Sequence, residues 1–179
     1  YELMEKNIIN QHDVIVNGQA GDFTTGAHIR KELLTSDITI NKVYEIIYEK
    51  HFSLWLDYSS NTKQRIIDGI SNYFLKNKKY LMNQELFNYY ISWEWSERQS
   101  KFVTNQQRIY DYYNLNWYLP LWDKEFIEFW KERDLLELKN QKLYKFFLKN
   151  WNYKNLFDES LNKSINPWIG YKKINILIA

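Results

Sequence analysis

The stretch VIVNGQAGDFTTGAHI, residues 14–29, joins a run of β-branched residues to a segment rich in glycine. The run Val14–Val16 is continuous rather than alternating, which is typical of a strand covered on both faces of a parallel sheet. Three of the chain's five glycines follow within residues 18–26, and Gly18 ends the strand. After this turn the hydrophobic period becomes helical, so the sequence predicts an α/β fold in which one inner parallel strand leads into helices.

The glycine-rich turn suits two different roles. A turn without Cβ atoms exposes its backbone N–H groups to a phosphate, and an acid in the same turn can bind a divalent cation. Asp22, between Gly21 and Gly26, is that acid. In the other role, the glycines supply positive φ angles in an ordinary connection, and their spacing matches neither a Walker loop nor a dinucleotide-binding fingerprint. Both roles stay open on these residues alone.

Helical periodicity dominates the rest of the chain. Val43, Ile46 and Ile47 mark one amphipathic helix, and five apolar residues on one face mark the next. Those five are Ile66, Ile67, Ile70, Tyr73 and Phe74. A longer helical region is predicted over 84–113, with a break in its mixed middle, WEWSERQSKFVTNQQR, residues 93–108.

The segment YLPLWD interrupts this helical pattern. Pro120 lacks a backbone N–H and restricts the residue before it, which predicts a loop at 114–122. Asp123 then stands where the N-cap of a helix through KEFIEFW belongs. A last helix is predicted over 140–150, and NKSINPWIGYKK, residues 162–173, is predicted to be a loop.

The composition excludes several classes of protein. The 179 residues contain no cysteine, so the chain has neither disulfides nor thiolate sites. The 24 basic and 22 acidic residues are interspersed, so the charge pattern does not indicate nucleic-acid binding. Binding of single-stranded nucleic acid would be supported only by the abundance of aromatic residues. No window holds the roughly 18–20 apolar residues of a membrane span, and the first residues lack a signal-peptide core. We therefore expect one cytoplasmic domain over 1–179, without membrane or nucleic-acid partners and with no indication of oligomeric state.

Two motifs resemble the synthetase domain of the asparagine synthetase family. In that family a strand ends in Gly-Asp/Glu-Gly-Ala/Ser-Asp-Glu-Leu-Phe-Gly-Gly-Tyr, and this chain has GQAGDFTTGAH at residues 18–28. The family also has an Asp-Arg pair, a short helix and then Arg-Val-Pro-Phe-Leu-Asp. This chain has Gln107-Arg108 and then YLPLWDKEFIEF at the same spacing. The resemblance spans residues 3–150 and is strongest to divergent asparagine synthase-related proteins of bacterial surface-polysaccharide loci.

The resemblance implies both a fold and an activity. The fold is the C-terminal half of a pyrophosphate-loop ATPase (adenine nucleotide α-hydrolase-like), mostly α-helical with few strands. The activity is that of an ATP-dependent amide-forming ligase, which activates a carboxylate by attack on the α-phosphorus of ATP and passes the acyl-adenylate to a nitrogen donor. ATP and Mg²⁺ are the implied cofactors, a small-molecule carboxylate and a nitrogen donor are the implied partners, and surface-polysaccharide biosynthesis is the implied setting.

The same resemblance implies a cofactor-binding set in the glycine-rich turn. Asp22 is the metal ligand, acting on magnesium-pyrophosphate, and the backbone around Gly18 and Gly21 approaches the nucleotide. Gln19 belongs to this set but replaces a family carboxylate. Asp123 matches a family aspartate, although its role as an N-cap explains it without a ligand.

Arg108 and Lys142 are the implied catalytic residues. A late family lysine stabilises the pentavalent phosphorus, and Lys142 or Lys145 is its counterpart, unless both are ordinary solvated helix lysines. Arg108 either contacts phosphate or pairs with Asp111 at i+3. His28 follows the turn and either contacts substrate or is incidental.

The family's pyrophosphate loop, Ser-Gly-Gly-x-Asp-Ser, does not occur in this sequence, and neither does a glutaminase domain with an N-terminal cysteine. Because that loop belongs upstream of the strand, the resemblance predicts that Tyr1 lies inside a longer protein and that this chain alone makes no adenylate. The alternative is a catalytically inactive helical interaction module that retains the fold.

Overall fold

The structure is a computed structural model, and it describes residues 1–53, 59–81 and 85–157. These residues form mainly α-helices, with two short strands and one π-helix. The α-helices and strands are α1 (Glu2–Glu5), β1 (Val14–Val16), α2 (Gly21–Thr24), α3 (Ile40–His51), α4 (Ser60–Lys76), α5 (Lys78–Leu81), α6 (Leu86–Trp93), α7 (Arg108–Tyr112), β2 (Asn116–Tyr118), α8 (Lys124–Lys131), α9 (Leu135–Leu138) and α10 (Lys142–Trp151). The π-helix is Glu94–Thr104, and 3₁₀ turns lie at Lys31–Leu34, Asn105–Gln107, Pro120–Trp122, Lys139–Gln141 and Tyr153–Asn155.

The two strands pair in parallel, with Ile15 opposite Trp117 in the middle of the register. The strand predicted at 14–16 and its parallel pairing are therefore confirmed. Parallel strands need a long crossover connection, and here it runs through the helices from α2 to α7. Because both strands point the same way, their C-terminal ends meet at one edge. The glycine-rich turn follows β1 at that edge, and the Pro120 turn follows β2.

The prediction that β1 is an inner strand covered on both faces is wrong for the described residues. Val14 is 54% exposed and Val16 is 66% exposed, whereas Ile15 between them is half-buried. Within the described part of the chain β1 pairs only with β2, and alternate side chains of a strand point to opposite faces. One face of this pair is therefore partly covered, while the valine face is open.

The larger core lies between α3, α4 and α6. Val43, Ile46 and Ile47 on α3 are fully buried, and Ile70 and Phe74 on α4 belong to the same cluster. The two amphipathic helices predicted from these residues are confirmed. Burial of such side chains contributes about 1.5–3 kcal/mol each, so this cluster stabilises the helical part of the fold.

Side-chain caps fix the starts of α3, α4 and α8, and Asp134 caps α9 in the same way. Thr39 and Ser59 accept hydrogen bonds from backbone N–H groups in the first turns of α3 and α4. Asp123 Oδ1 accepts from Glu125 N over 2.9 Å at the start of α8, which confirms the predicted N-cap. Each such cap is worth about 1 kcal/mol of helix stability.

The helical region predicted over 84–113 is helical from α6 to α7, although Gln84 lies outside the described residues. The predicted break is wrong. The mixed middle keeps a helical backbone but winds as the π-helix, whose wider turn uses i→i+5 hydrogen bonds. Its apolar residues therefore do not recur at the 3.6-residue spacing of an α-helix.

The loop predicted at 114–122 is wrong in its middle, because residues 116–118 form β2. A three-residue strand is too short to show a period, and it exists because β1 supplies its pairing partner. Pro120 begins a 3₁₀ turn, where its missing N–H is not needed. The helix predicted over 140–150 is confirmed as α10, while the loop predicted at 162–173 lies outside the described residues.

A smaller core joins the C-terminal helices to the turn after α2. Ile29, Trp130 and Leu138 are its buried members, and Phe87 on α6 packs against both cores. The described helices include none that combines the length and the apolar character needed to cross a membrane.

Candidate functional site

The two sequence motifs meet at the C-terminal edge of the strand pair. The pairing continues past β1, since Asn17 N donates a hydrogen bond to Tyr118 O over 3.0 Å. Leu121, in the turn after β2, then packs directly on Gly21 at the start of α2. Ligands of open α/β folds bind at this edge of the strands. This edge is therefore the candidate location of a ligand site.

Different structural constraints apply to the three glycines of the turn. A Cβ on Gly21 would collide with the end of the Leu121 side chain. Gly26 has a φ of 95°, and a Cβ there would collide with the backbone carbonyl of Leu138. Nothing lies within 4 Å of the position that a Cβ on Gly18 would take. Packing and backbone conformation account for Gly21 and Gly26, while Gly18 is the glycine of the three that leaves its backbone open to a ligand.

Asp22 lies in α2 with its side chain 63% exposed. Its Oδ1 accepts from Phe23 N over 2.8 Å, and its Oδ2 lies 3.1 Å from His28 Nε2. The hydrogen bond from His28 lowers the pKa of Asp22, so the carboxylate is ionised at neutral pH. Among the described residues no cluster of three His, Cys, Asp or Glu side chains could hold a metal ion. Mg²⁺ bound to a nucleotide needs only one or two protein carboxylates besides the phosphates, so the donor chemistry of Asp22 fits that ion.

Glu94, the first residue of the π-helix, is the centre of a buried charge cluster. Its side chain is fully buried, and its Oε2 lies 3.0 Å from His28 Nδ1. Its Oε1 accepts from Lys50 Nζ over 3.0 Å and from His51 Nε2, both in the last turn of α3. Asp22 joins the cluster through His28. We call these five residues the Glu94 cluster.

The geometry of the Glu94 cluster sets the protonation of His28. Burial opposes the charge on Glu94, but the hydrogen bonds from His28 and His51 and the charge of Lys50 outweigh it and hold the pKa of Glu94 far below its usual range. Burial also disfavours the imidazolium, yet the hydrogen bonds to Asp22 and Glu94 raise the pKa of His28. Both ring nitrogens face carboxylate oxygens, which only accept, so both nitrogens donate and His28 is an imidazolium cation.

Tyr90 and Lys50 complete the hydrogen bonds around this cluster. Lys50 Nζ donates to Tyr90 Oη over 3.0 Å, and Tyr90 Oη donates to His28 O over 3.2 Å. Burial, joined by the negative charge of Glu94, raises the pKa of Tyr90 well above its usual range, so the phenol stays neutral. Burial lowers the pKa of Lys50, and Glu94 limits that shift. This hydrogen-bond network connects α2, α3, α6 and the π-helix through the Glu94 carboxylate.

Gln19 is held by a second polar contact across the same edge. Gln107 Nε2 donates to Gln19 Oε1 over 2.5 Å, and Asn17 Nδ2 donates to Gln107 Oε1 over 3.3 Å. Gln107 is only 1% exposed. The side chain of Gln19 therefore fastens the turn to the end of the π-helix segment, and its assignment to cofactor binding stays a prediction.

The structure does not bring Arg108 and Lys142 to the Glu94 cluster. Arg108 has a 75% exposed side chain, and its Nε lies 3.9 Å from Asp111 Oδ2, the i+3 pairing that the sequence offered as one alternative. Lys142 begins α10 and is exposed, as is Lys145 one turn later. The catalytic roles of Arg108 and Lys142 stay predictions.

A cleft of about 1050 Å³ opens beside the Glu94 cluster, and His28 lines it. A row of aromatic rings runs along it from His28 through Phe23 and Trp95 to Trp122, with centroid separations of 5.7, 6.1 and 4.6 Å. The indoles of Trp95 and Trp122 are stacked, with 15° between their planes. Trp130 also lines the cleft, and its Nε1 is buried without a hydrogen-bond partner among the described residues.

Sequence reasoning identified Asp22 and His28 but missed Glu94, Lys50 and His51. Lys50 and His51 lie on α3, which is predicted from its apolar residues. That pattern does not mark the two polar side chains as functional. Glu94 lies in the segment with no helical period, between two tryptophans. The sequence feature that could have indicated Glu94 is an acid between two large apolar residues. An acid in such a place is buried only when it is paired, so it indicates a buried ion pair.

Neither known protein families, nor curated proteins, nor solved structures give a match to this chain.

Proposed function

We propose that this chain is the C-terminal part of the synthetase domain of an ATP-dependent amide-forming ligase with a pyrophosphate-loop ATPase fold. One observation carries the proposal. The two motifs that resemble the asparagine synthetase family lie about a hundred residues apart in sequence, and they meet at the C-terminal edge of a parallel strand pair, where Leu121 packs on Gly21. The Asp22 carboxylate and a large cleft lie beside that contact.

In this proposal the glycine-rich turn binds the nucleotide. Gly18 offers the open backbone for close approach, and Asp22 offers the ionised carboxylate for the magnesium of the phosphates. The acceptor carboxylate would attack the α-phosphorus of ATP and release pyrophosphate, and the nitrogen donor would then displace AMP from the acyl-adenylate to give the amide. Arg108 and Lys142 would contact the phosphates. The proposed setting is surface-polysaccharide biosynthesis in the cytoplasm.

A second candidate is a helical interaction module that has lost catalysis. Two observations favour it. The Gln19 side chain is engaged by Gln107, and the space over Gly21 is filled by Leu121 rather than left for a ligand. An interaction module would use the turn as a structural connection, with Asp22 as a partner of His28 and nothing more.

The test separates these two functions in the natural protein that contains this chain. Asp22→Asn keeps the shape of the side chain and removes its charge. We expect magnesium-dependent ATP binding to weaken at least about tenfold, and the free energy of unfolding to change by no more than about 1 kcal/mol, because the Asp22 side chain is 63% exposed and His28 keeps its pairing with Glu94. The matched control is Asp68→Asn, whose carboxylate contacts only Gln64 on the surface of α4 in the hydrogen bonds described.

The opposite result supports the interaction module. Unchanged ATP binding together with a large loss of stability would make Asp22 a structural residue of the turn. Absence of ATP–pyrophosphate exchange with every carboxylate offered would count against the ligase itself.

A further inference from the structure

Three exposed aromatic rings lie against one another at the C-terminal end of α10. The ring centroids of Phe147 and Trp151 are 5.6 Å apart and those of Trp151 and Tyr153 are 5.2 Å apart, each pair with 25° between its planes. The three residues are between 46% and 57% exposed. Single apolar side chains on a surface are ordinary, whereas a contiguous group of them marks a place where a partner binds. We call these three residues the aromatic stack.

The aromatic stack is not part of the packing that holds α10 in place. Leu143 and Tyr144, in the first turn of the helix, pack against the smaller core. Phe147 and Trp151 continue the same side of the helix, because residues three or four positions apart share a face. No residue of α10 is fully buried. In the part of the chain that the structure describes, the apolar side of α10 is therefore covered in its first half and open in its second half.

The segment that carries the aromatic stack is also cationic. Between Glu137 and Asp158 the sequence contains no acidic residue and five lysines, which are Lys139, Lys142, Lys145, Lys149 and Lys154. Three of these lysines belong to α10 and are spaced by three and four residues, so they share the face opposite to its two stacked rings. A helix with aromatic residues on one face and lysines on the other has the pattern of a helix that lies in the interface of a membrane.

The positive charge of this segment is not neutralised where the structure describes it. Among the described residues, no ion pair involves Lys142, Lys145 or Lys154. Lys154 Nζ lies instead over the ring of Tyr153, 5.1 Å from its centroid. A partner that complements this surface must therefore be anionic as well as apolar.

Charge and ring geometry distinguish three kinds of partner. A second copy of this chain would bring the same lysines against these, and a symmetric contact between like charges is unfavourable. Single-stranded nucleic acid binds by stacking its bases on open ring faces, whereas the rings of the aromatic stack lie against one another. An anionic bilayer offers a negative surface to the lysines and an apolar layer beneath it to the rings.

We propose that the C-terminal half of α10 docks this protein on an anionic membrane surface, with the aromatic stack inserted at the level of the headgroups. Tryptophan and tyrosine suit this level because each combines a large apolar ring with a polar group. The long lysine side chains reach the lipid phosphates from the flanks of the helix. The expectation of no membrane partner rested on the lack of an apolar window long enough to span a bilayer, and a helix that lies on the surface needs no such window.

The experiment uses the natural protein that contains this chain and two kinds of vesicle. One kind is phosphatidylcholine alone, and the other contains about one quarter phosphatidylserine in phosphatidylcholine. Cosedimentation should show binding that is at least about tenfold tighter to the anionic vesicles. This binding should weaken as the salt concentration rises, because salt screens the attraction between lysines and phosphates.

Replacement of the rings tests the apolar part of the surface. Phe147→Ala combined with Trp151→Ala should weaken binding to the anionic vesicles at least about tenfold. Both residues are more than half exposed, so the helical circular dichroism should stay unchanged. The matched control is Tyr112→Ala, which removes a 78% exposed ring on α7 and should leave vesicle binding as it is.

Replacement of lysines tests the electrostatic part. Lys145→Gln combined with Lys154→Gln should weaken binding about tenfold and reduce its dependence on salt. Lys78→Gln combined with Lys79→Gln removes two exposed lysines from α5 and should leave binding unchanged.

The inference is overturned by equal binding to the two kinds of vesicle, by no binding to either, or by ring variants that bind as well as the unchanged protein. Self-association, or binding of an oligothymidylate, that is lost in the ring variant while vesicles do not bind would assign the surface to a second copy or to nucleic acid. If the ring variant does not fold, the lysine variants and the two kinds of vesicle decide the question. None of these measurements involves ATP, so they stand whether or not the ligase proposal fails.

Discussion

Glu94 Oε2 and His28 Nδ1 lie 3.0 Å apart, and the Glu94 side chain in this pair has no contact with solvent. The same carboxylate also neutralises Lys50. A buried carboxylate with these partners cannot be removed without leaving cations uncompensated in a partly desolvated place.

We therefore expect Glu94→Gln to be strongly destabilising, by about 3–5 kcal/mol in the free energy of unfolding. The matched control is Glu97→Gln on the same π-helix, where the partner Lys101 is 66% exposed and the ion pair is worth about 0.2–1 kcal/mol. Urea unfolding followed by circular dichroism measures both variants. Equal losses in the two would show that the Glu94 cluster is not a stabilising centre.

Stability should depend on pH in a way set by the same cluster. The lowered pKa values of Asp22 and Glu94 stabilise the fold above the unfolded-state values of about 4, and this contribution is lost as the pH falls through the folded-state values. The raised pKa of His28 stabilises the fold below about 6.5, and that contribution is lost as the pH rises through the folded-state value. Stability should thus be greatest between about pH 4.5 and 6.5.

Urea unfolding at a series of pH values tests this profile. His28→Gln should flatten the decline on the alkaline side, whereas His12→Gln, at an exposed position, should leave it as it is. An alkaline decline of the same size in all three proteins would exclude His28 as its cause.

Replacement of each turn glycine by alanine should give three different results. Gly26→Ala meets both a positive φ and a backbone carbonyl, so we expect a loss of about 2–4 kcal/mol. Gly21→Ala meets only the flexible end of Leu121 and should cost about 1 kcal/mol, which Leu121→Ala in the same chain would relieve. Gly18→Ala should leave stability within about 0.5 kcal/mol, because its Cβ enters open space.

The Gly18→Ala variant also tests nucleotide binding. A loss of ATP binding at unchanged stability would mean that the added methyl group blocks the approach of the nucleotide to the turn. Thermal unfolding of the three variants gives the order of their stabilities. A Gly18→Ala variant as unstable as Gly26→Ala would contradict this account of the turn.

The amide pair between Gln19 and Gln107 should respond asymmetrically to an added charge. Gln19→Glu keeps an oxygen that accepts from Gln107 Nε2, so its free energy of unfolding should change by less than about 1 kcal/mol. Gln107→Glu places a carboxylate oxygen against Gln19 Oε1 and Val103 O in a buried position, so the loss should be at least about 1–3 kcal/mol. Chemical denaturation of the two variants checks the difference, and a reversed order would mean that the two amides are oriented the other way.

The sequence predicts most of the helical core, because burial there follows a simple period. Val43, Ile46 and Ile47 recur on one face of α3, and the structure buries all three. The strand at 14–16 is predicted by its β-branched run. The exposure of Val14 and Val16 is not predicted. A continuous apolar run indicates a strand that is buried on both faces, but it does not identify the elements that would bury it.

The candidate site is less predictable for two physical reasons. Asp22 stands in a conspicuous turn, so its residue type and position suggest chemistry directly. Glu94 owes its role to contacts with His28, Lys50 and His51, which lie 43–66 residues away in the chain. The π-helix that carries Glu94 has no 3.6-residue period to reveal which side faces inward. Long-range partners and unusual winding are the parts of the site that local patterns do not encode.

The parallel register between β1 and β2 has a consequence for the order of folding. It joins segments about a hundred residues apart, so closing that loop carries a large entropic cost, whereas contacts within α3 to α6 are much closer along the chain. The helical core can therefore assemble while the strands are still separate. We therefore expect the glycine-rich turn and the Pro120 turn to come together after the helical core, so a refolding chain should gain helical circular dichroism before it gains any ability to bind a ligand at that edge.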